Sequence, residues 1–534
     1  MTTAPDGAVT SVTRSAAGMG AAAAVSRAFG GVRMVVIAAV LGTTYLGNAF
    51  QASNSVSNVL FELLAAGALS AVLVPTFVEA FGRSDQRRAE EVAGGLLSLA
   101  WILLGVVALI GVVAAPWFAS ILTTGIDDPS TAAEQQELTT YLLRFFIPQV
   151  LLYALGAVTT AVLHARGRFA LTAVAPIGNT IVLVGSMLLF RELAGPDPGL
   201  DLDQAEKLVL ALGGTLGVAA FVAVPAIGLR RSGFRLRLGA RRAYDDADVR
   251  SVLGLSGWAA LQHAGTGLLL AAALVAGGGV AGGVVAYQLA MVVFLAPYGI
   301  VAQPIHTAVL PRLASEVQRG DATSLRASVR WAADAMVVAT VPIGALLTAL
   351  SAPVMAVLAF GEAADAGGPE LLGAALVGLA IGVPAYGGFL LLTRVAYALG
   401  NSRAPAVASI VVAALGAIGM LVAGATTEGS STLVLIGVAH SAAYTLGAIA
   451  LAWRLHGAVG AAWHPGQLVP VVLAVVVALL AWLALQAWEP DGRVATAVAI
   501  GVLGAGGMAA YAGGLRLLGR VPPSSPIAVE ATSA

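Results

Sequence analysis

The sequence predicts an all-α protein that crosses a membrane many times, with about fourteen transmembrane helices. Of its 534 residues, 58% are hydrophobic and only 10% are charged, whereas soluble globular proteins carry about 25% charged residues. Gly occurs 64 times, and small residues of this kind allow helix backbones to approach closely in lipid. Long apolar runs alternate with short charged connections, and this alternation predicts the number and the direction of the helices.

Each predicted span is an apolar run of about 20 residues or more, which is long enough to cross the hydrocarbon core as a helix. Fourteen such runs lie at residues 25–43, 47–80, 92–122, 137–164, 169–190, 206–229, 249–277, 281–314, 327–359, 370–399, 404–424, 431–454, 467–487 and 493–516. Several exceed 25 residues, so we expect tilted or extended helices.

The charges of the connections predict the orientation of the spans. Connections after even-numbered spans carry arginine, and residues 230–246 alone hold six. Connections after odd-numbered spans are often acidic, as at Asp127 and Asp128. Because arginine is enriched in cytoplasmic loops, we expect both termini to be cytoplasmic.

An internal repeat with a period of about 236 residues relates the spans to one another. The matched positions are Pro75 and Pro311, Ala115-Pro116 and Ala352-Pro353, Pro148 and Pro384, and Gly167 and Gly400. Matched positions lie six spans apart, and an even number preserves orientation. The repeat therefore predicts two parallel six-helix halves, an arrangement found in transporters whose halves rock against each other.

These features divide the chain into six predicted segments. They are a cytoplasmic tail (1–24), an amino-terminal half (25–229), a basic cytoplasmic linker (230–248), a carboxy-terminal half (249–456), an extra helix pair (457–519) and a second cytoplasmic tail (520–534). Two interpretations of the linker stay open: a hinge that touches anionic lipid, or a topology signal alone.

Polar side chains inside the first two spans are the main candidates for substrate binding: Arg27, Arg33, Asn48, Gln51, Asn54, Asn58 and Glu62. A charge at the bilayer centre costs about 3 kcal/mol or more, so such groups usually face a water-filled cavity. The alternatives are arginines that reach the headgroups, amides that only join helices, and a structural ion pair for Glu62.

Later spans supply further cavity candidates, at Gln262, His263, Gln288 and Arg394. In span nine, Arg330 precedes Asp334 by four residues. This spacing places the two side chains together on a helix and predicts a local ion pair.

Several classes of function are disfavoured by what the sequence lacks. It has no cysteine and no GxxxxGK[ST] phosphate loop, which excludes thiolate chemistry and ATP hydrolysis by that route. The net charge is zero, which gives no indication of a nucleic-acid partner. We expect a protein that is not an enzyme and has no catalytic residues, no metal site and no cofactor, apart from coupling to an ion gradient or to the membrane potential.

Short motifs in the first spans resemble those of the MurJ/MviN family of lipid II flippases, in the multidrug/oligosaccharidyl-lipid/polysaccharide exporter superfamily. Residues 26–33 match the family's S-R-x-x-G-x-x-R pattern, and Asn48-Ala49-Phe50 stands where the family has D-A-F. The chain departs from the family pattern at Asn48, and also at Phe61, Ala66, Val292 and Leu295. Phe61 and Val292 stand in place of family arginines.

The resemblance implies a transporter in the bacterial cytoplasmic membrane. The implied substrate is lipid II, a polyprenyl-pyrophosphate-linked peptidoglycan precursor, moved to the outer leaflet by alternating access. Arg27 and Arg33 would hold the pyrophosphate, and the partners would be membrane lipids and cell-wall synthesis proteins. Two alternatives stay open: export of another lipid-linked oligosaccharide or of an amphipathic drug, and a degenerate paralogue that acts as a cell-wall synthesis scaffold.

Overall fold

The structure is a computed structural model, and it describes residues 28–61, 77, 86–239, 257–365 and 367–520. Within these residues every regular element is a helix. They form two compact units, of which the first comprises described residues of 28–41, 49–123 and 128–267, and the second those of 42–48, 124–127 and 268–520.

The helices of the first unit follow the chain in order. They are α1 (Ala28–Leu41), most of α2 (Tyr45–Phe61), α3 (Gln86–Val113), α4 (Ala115–Leu122), α5 (Pro129–Phe146), α6 (Val150–Ala165), α7 (Phe169–Ala194), α8 (Gln204–Arg231) and the beginning of α9 (Gly257–Gly278).

The second unit holds the end of α9 and the helices after it. They are α10 (Gly283–Pro297), α11 (Gln303–Arg319), α12 (Ala322–Ala349), α13 (Ser351–Leu358), α14 (Gly368–Ala380), α15 (Val383–Ala398), α16 (Arg403–Thr426), α17 (Gly429–Val459), α18 (Leu468–Trp488) and α19 (Arg493–Leu517).

Each of the fourteen predicted spans overlaps one or two of these helices. Among the described residues, eleven helices are long and apolar enough to cross a membrane, or twelve when the bent pair α14 and α15 is taken as one span. The helix α1 is shorter, and the chain after Phe61 lies largely outside the described residues. The multi-spanning α-helical fold is confirmed, and the count of fourteen stays a prediction.

Proline breaks four spans at repeated positions. Ala115-Pro116 begins α4 after the break that ends α3, and Ala352-Pro353 lies at the start of α13 after the break that ends α12. Pro148 lies in a 3₁₀ turn between α5 and α6, whereas Pro384 begins α15, which is bent by 44° from α14. Because proline has no N–H group for the helix ladder, these breaks agree with the predicted repeat.

Local capping explains where several helices begin. Asp128 accepts a hydrogen bond from the N–H of Thr131 at the start of α5, and Asp203 forms a capping box with Glu206 at the start of α8. Asp321 caps α12 in the same way. These carboxylates satisfy N–H groups that the first turn of a helix leaves without a partner.

The extra helix pair, α18 and α19, packs on α12. Leu346 of α12 lies in one apolar cluster with Ala474, Val477 and Ala478 of α18 and with Tyr511 of α19. Within the second unit, the pair is thus buried against α12 through small and branched side chains that pack closely in lipid.

A polar contact supports the same junction. The Nε2 atom of His464 lies 2.8 Å from Oδ1 of Asp334, and Nε2 of Gln467 donates to the same oxygen over 2.7 Å. The N–H of Gly466 donates to Nδ1 of His464, so Nε2 carries the proton and donates to Asp334. The predicted Arg330–Asp334 pair is wrong, because no ion pair joins these two side chains among the described residues, and Oδ1 of Asp334 is bonded to partners from a distant part of the chain.

Candidate functional site

Arg33 of α1 is a half-buried cation in the first unit. Its Nε atom is fully buried and has no hydrogen-bond partner among the described residues. The guanidinium interacts electrostatically with the hydroxyl of Tyr153 on α6. No carboxylate within the described ranges forms an ion pair with it. A buried donor without a partner is rare and calls for an explanation, and an anionic ligand is one that suits a cation.

Tyr153 brings Arg33 together with the amide face of α2. Its hydroxyl lies next to the polar ends of Ser57 and Asn58, and its ring packs against Phe61 with centroids 5.6 Å apart. The structure therefore places two predicted site residues, Arg33 and Asn58, around one tyrosine hydroxyl. The sequence analysis missed Tyr153 because the residues that it contacts on α1 and α2 lie more than about 90 positions earlier in the chain.

Behind this group, hydrogen bonds fix α2 against the neighbouring helices. The Ser57 Oγ atom lies 3.3 Å from Oε1 of Gln149, and the Gln149 amide donates to Oγ1 of Thr215 over 3.2 Å. Gln149 and Ser57 are buried. Since buried polar groups need partners, this chain of contacts holds α2 in one rotation about its axis.

The other two amides of α2 in the first unit differ in exposure. Gln51 is buried, with its Nε2 atom 3.4 Å from the sulfur of Met34. Asn54 is half-buried, and none of the hydrogen bonds described involves its side chain. Together with Asn58 they lie on the face expected from their spacing of three and four residues.

Asn48 has a different environment, within the second unit. It is fully buried; its Nδ2 atom donates to the carbonyl of Val280 over 2.7 Å, and its Oδ1 atom accepts from the N–H of Val284 over 2.9 Å. Val284 lies in the first turn of α10, so the Asn48 side chain caps that helix from outside. This geometry favours a structural joint over contact with a substrate.

Close backbone packing surrounds that joint. Gly282 has a φ of +71°, and a Cβ atom there would lie 2.2 Å from the carbonyl carbon of Thr43. The hydroxyl of Tyr45 also donates to the carbonyl of Gly279. The segment 42–48 and the turn before α10 are therefore locked together, and only glycine fits at position 282.

The remaining predicted residues are scattered. Gln262 and His263 are half-buried on the part of α9 in the first unit, and Gln288 is half-buried on α10 in the second. Arg394 of α15 is half-buried and interacts electrostatically with His306. Arg27 and Glu62 lie outside the described residues.

An aromatic cluster in the second unit also escaped the sequence analysis. Its ring pairs are Tyr298–His306 (5.7 Å), Tyr298–Tyr386 (5.3 Å), Tyr386–Tyr444 (4.9 Å), His440–Tyr444 (4.9 Å) and Phe294–His440 (5.3 Å). A π-helical turn, Tyr298–Ala302, lies within it. The rings come from several helices, so the spacing of residues along the sequence does not predict the cluster. His306 and His440 are buried here without a carboxylate in hydrogen-bond contact among the described residues, which favours packing over proton transfer.

Chemically, the group around Arg33 is suited to binding an anion. A guanidinium remains protonated and binds two phosphate oxygens at once. Half-buried amides such as Asn54 and Asn58 offer both donors and acceptors, as a hydroxyl-rich headgroup requires. Among the described residues around Arg33, no nucleophile lies beside a base, and this arrangement favours binding over bond cleavage.

Comparison with known proteins identifies the family. A family model described as "Lipid II flippase MurJ" matches residues 37–503. The chain belongs to this family. Membership in the MurJ family makes it a multi-pass membrane transporter of the bacterial cytoplasmic membrane rather than an enzyme.

Curated relatives agree with the family model. A probable lipid II flippase MurJ of Rhizobium tropici is 28% identical over 372 residues, which cover 69% of this chain and 67% of the relative. One from Rhizobium meliloti (strain 1021), with the same description, is 28% identical over 364 residues, covering 65% of this chain and 63% of the relative. The aligned part thus spans about two thirds of these MurJ relatives.

Solved structures show the same fold. A structure of lipid II flippase MurJ in an inward closed conformation has a TM-score of 0.75 at 16% identity, and the match covers 94% of this chain and 99% of that one. An inward-facing multidrug resistance MATE family transporter has a TM-score of 0.62 at 14% identity, with 80% and 94% covered. These likenesses establish the MurJ and MATE type of helical architecture.

Proposed function

We propose that this protein moves lipid II from the inner to the outer leaflet of the bacterial cytoplasmic membrane. Its membership in the MurJ family, over residues 37–503, is the observation that carries this proposal. Alternating access between two six-helix halves is the mechanism that the internal repeat favours.

In this mechanism Arg33 binds the pyrophosphate of the substrate. The pyrophosphate has to leave water, and a preplaced cation offsets the cost of desolvating it. Arg33 suits this role because its buried Nε–H has no partner among the described residues. In this proposal the half-buried amides of Asn54 and Asn58 contact the sugar and peptide part of the headgroup.

A genetic test separates this function from its rivals. We expect the wild-type chain to restore growth to bacteria depleted of their lipid II flippase, and the Arg33→Ala chain, expressed at the same level in the membrane, to fail. The matched control is Arg87→Ala, which removes an arginine whose side chain is 75% exposed. Failure of a well-expressed wild-type chain would refute lipid II as the cargo.

A second cargo class is favoured by one feature of the site. Phe61, which stands where the family has an arginine, packs on Tyr153 beside Arg33. An aromatic pair next to the Arg33 guanidinium suits an amphipathic or differently linked lipid cargo with less negative charge. Competition of such lipids with labelled lipid II in proteoliposomes tests this alternative, which fails if none competes.

We also infer that both termini are cytoplasmic and that the protein works beside cell-wall synthesis proteins. Arginine in the connections after even-numbered spans supports the first statement. Reporter fusions at each terminus, active only on one side of the membrane, test it directly. Coupling to an ion gradient or to the membrane potential stays a prediction.

A further inference from the structure

A non-helical segment, residues 234–239, lies along α3 within the first unit, and we name it the strap. It follows α8 after a two-residue turn at 232–233 and belongs to the arginine-rich connection that begins at residue 230. Phe234 at its start is buried, whereas the side chains of Arg235 and Arg237 are exposed. The strap is therefore attached to the unit although its composition suggests a solvated loop.

One buried carboxylate holds the strap. Glu90 of α3 is 5% exposed; its Oε1 atom accepts from the N–H of Arg235 over 3.0 Å, and its Oε2 atom accepts from Nε of Arg237 over 3.1 Å. The Glu90 carbonyl also accepts from the N–H of Arg237, and Gln86 donates to Oε1. A buried carboxylate is costly unless it is paired, so Glu90 and the strap stabilise each other.

Backbone contact extends the attachment along α3. A Cβ atom on Gly94 would lie 2.1 Å from the carbonyl oxygen of Arg237, so the strap reaches its position only because residue 94 has no side chain. Two turns beyond Glu90, the Oγ atom of Ser98 accepts from the N–H of Gly239 over 3.1 Å. Three consecutive turns of α3 thus contact the strap.

A residue outside α3, Arg166, holds the beginning of the strap. Arg166 lies over the ring of Phe234, 4.9 Å from its centroid, and donates to Oγ of Ser232 over 3.0 Å. Arg166 belongs to the turn between α6 and α7. Residues from three parts of the first unit therefore converge on this short segment.

We propose that the strap stays docked on α3 throughout transport, and that Glu90 and Gly94 are the positioning residues that keep it there. The proposal rests on the proposed function, because it concerns how the linker between two moving halves is attached. When the strap is docked, the end of the linker that follows α8 moves together with the first unit. If the strap is released, a closing or opening step of transport becomes slower while substrate binding is unchanged.

Limited proteolysis tests the docking independently of any cargo. Trypsin cleaves after Arg235 and Arg237 only when the strap leaves α3, and the cleavage rate follows the population of the released state. We expect Glu90→Ala and Gly94→Ala to accelerate these two cleavages at least about tenfold. The matched controls are Glu91→Ala, which alters an exposed pair with Arg87, and Gly105→Ala, which adds a Cβ atom in open space on the same helix.

Transport in proteoliposomes tests the functional part. We expect the maximal rate of lipid II transport to fall about fivefold or more in Glu90→Ala and Gly94→Ala, with an unchanged apparent KM. Both controls should match the wild type. If strap cleavage rises in the two variants but transport does not change, docking is irrelevant to transport and the proposal is overturned. If cleavage does not rise, Glu90 and Gly94 do not hold the strap.

A covalent tether decides whether the strap must ever leave. The chain contains no cysteine, so a Ser98→Cys, Gly239→Cys pair can be cross-linked alone, and a Cβ atom on Gly239 meets no neighbour. We expect the cross-linked protein to transport within about twofold of its reduced form, and the same cross-link to restore transport to Glu90→Ala. Loss of transport on cross-linking overturns the proposal. If the wild type moves no lipid II, the proposed function fails, while the cleavage comparison still decides whether the strap is held.

Discussion

Replacing Asn48 with alanine tests the structural joint at the start of α10. The Asn48 side chain is 0% exposed and bridges the carbonyl of Val280 to the N–H of Val284, with distances of 2.7 and 2.9 Å. Alanine removes both contacts. A water molecule cannot take the place of the lost amide without opening the packed turn around Gly282. Two buried backbone groups are then left without these partners.

The expected loss follows from those two groups. Each buried polar group that loses its partner costs about 1–3 kcal/mol, so Asn48→Ala should lower the free energy of unfolding by about 2–6 kcal/mol. For domains of 150–250 residues, 1 kcal/mol corresponds to about 2–4 °C in the unfolding temperature. We therefore expect the apparent unfolding temperature in detergent to fall by at least about 4 °C.

The control is Asn54→Ala, which lies six residues after Asn48 on the same helix, α2. The Asn54 side chain is half-buried and takes part in none of the hydrogen bonds described, so its removal should change stability by less than about 0.5 kcal/mol. The apparent unfolding temperature of both variants is measured from the loss of the monodisperse protein peak on heating. Equal shifts for the two substitutions would refute the assignment of Asn48 as a joint.

Three further predictions concern other parts of the chain. Tyr153→Phe removes only the hydroxyl beside Arg33, so lipid II transport should fall several-fold while the unfolding temperature stays within about 2 °C. Asp334→Ala loses two hydrogen bonds to the segment before α18 and should cost about 1–3 kcal/mol, whereas Arg330→Ala should not change the unfolding temperature. The hydroxyls of residues 130 and 131 and the N–H of residue 131 lower the pKa of Asp128 to about 2. This cap therefore stabilises the folded state above the ordinary pKa of 3.8, and the difference in unfolding temperature between wild type and Asp128→Ala should close as the pH falls towards 2.

The fold was predictable because lipid imposes strong rules on sequence. Backbone groups in hydrocarbon must be satisfied internally, so each long apolar run has to be a helix. Pro116, Pro148, Pro353 and Pro384 also act locally, by removing an N–H group. The helices break beside them, although the sequence analysis predicted one continuous span around each of these prolines.

The roles of single polar residues were less predictable, because their partners are distant in sequence. Asn48 was predicted to bind substrate, but its hydrogen bonds go to residues 232 and 236 positions away. Asp334 was predicted to pair along its own helix, but it contacts His464, 130 positions away. Helical spacing reports which side chains share a face, and it carries no information about which other helix faces them.

The basic linker illustrates the same limit. Arginine in a cytoplasmic connection predicts topology, and nothing in that pattern distinguishes Arg237, which is paired with Glu90, from its neighbours. The carboxylate and Gly94 that receive the strap lie more than 140 positions earlier in the chain. The docking was therefore found only in the structure.

Reconstituted lipid II transport with wild-type, Arg33→Ala and Arg33→Lys proteins measures the central step most directly. Loss of a charge-assisted contact to phosphate costs about 1.5–3 kcal/mol, so Arg33→Ala should lower transport about 10-fold to 150-fold. Lysine keeps the charge but not the two-pronged geometry and should give an intermediate rate. Transport by Arg33→Ala at the wild-type rate, in vesicles where the wild type clearly exceeds protein-free membranes, would contradict a pyrophosphate site at this guanidinium.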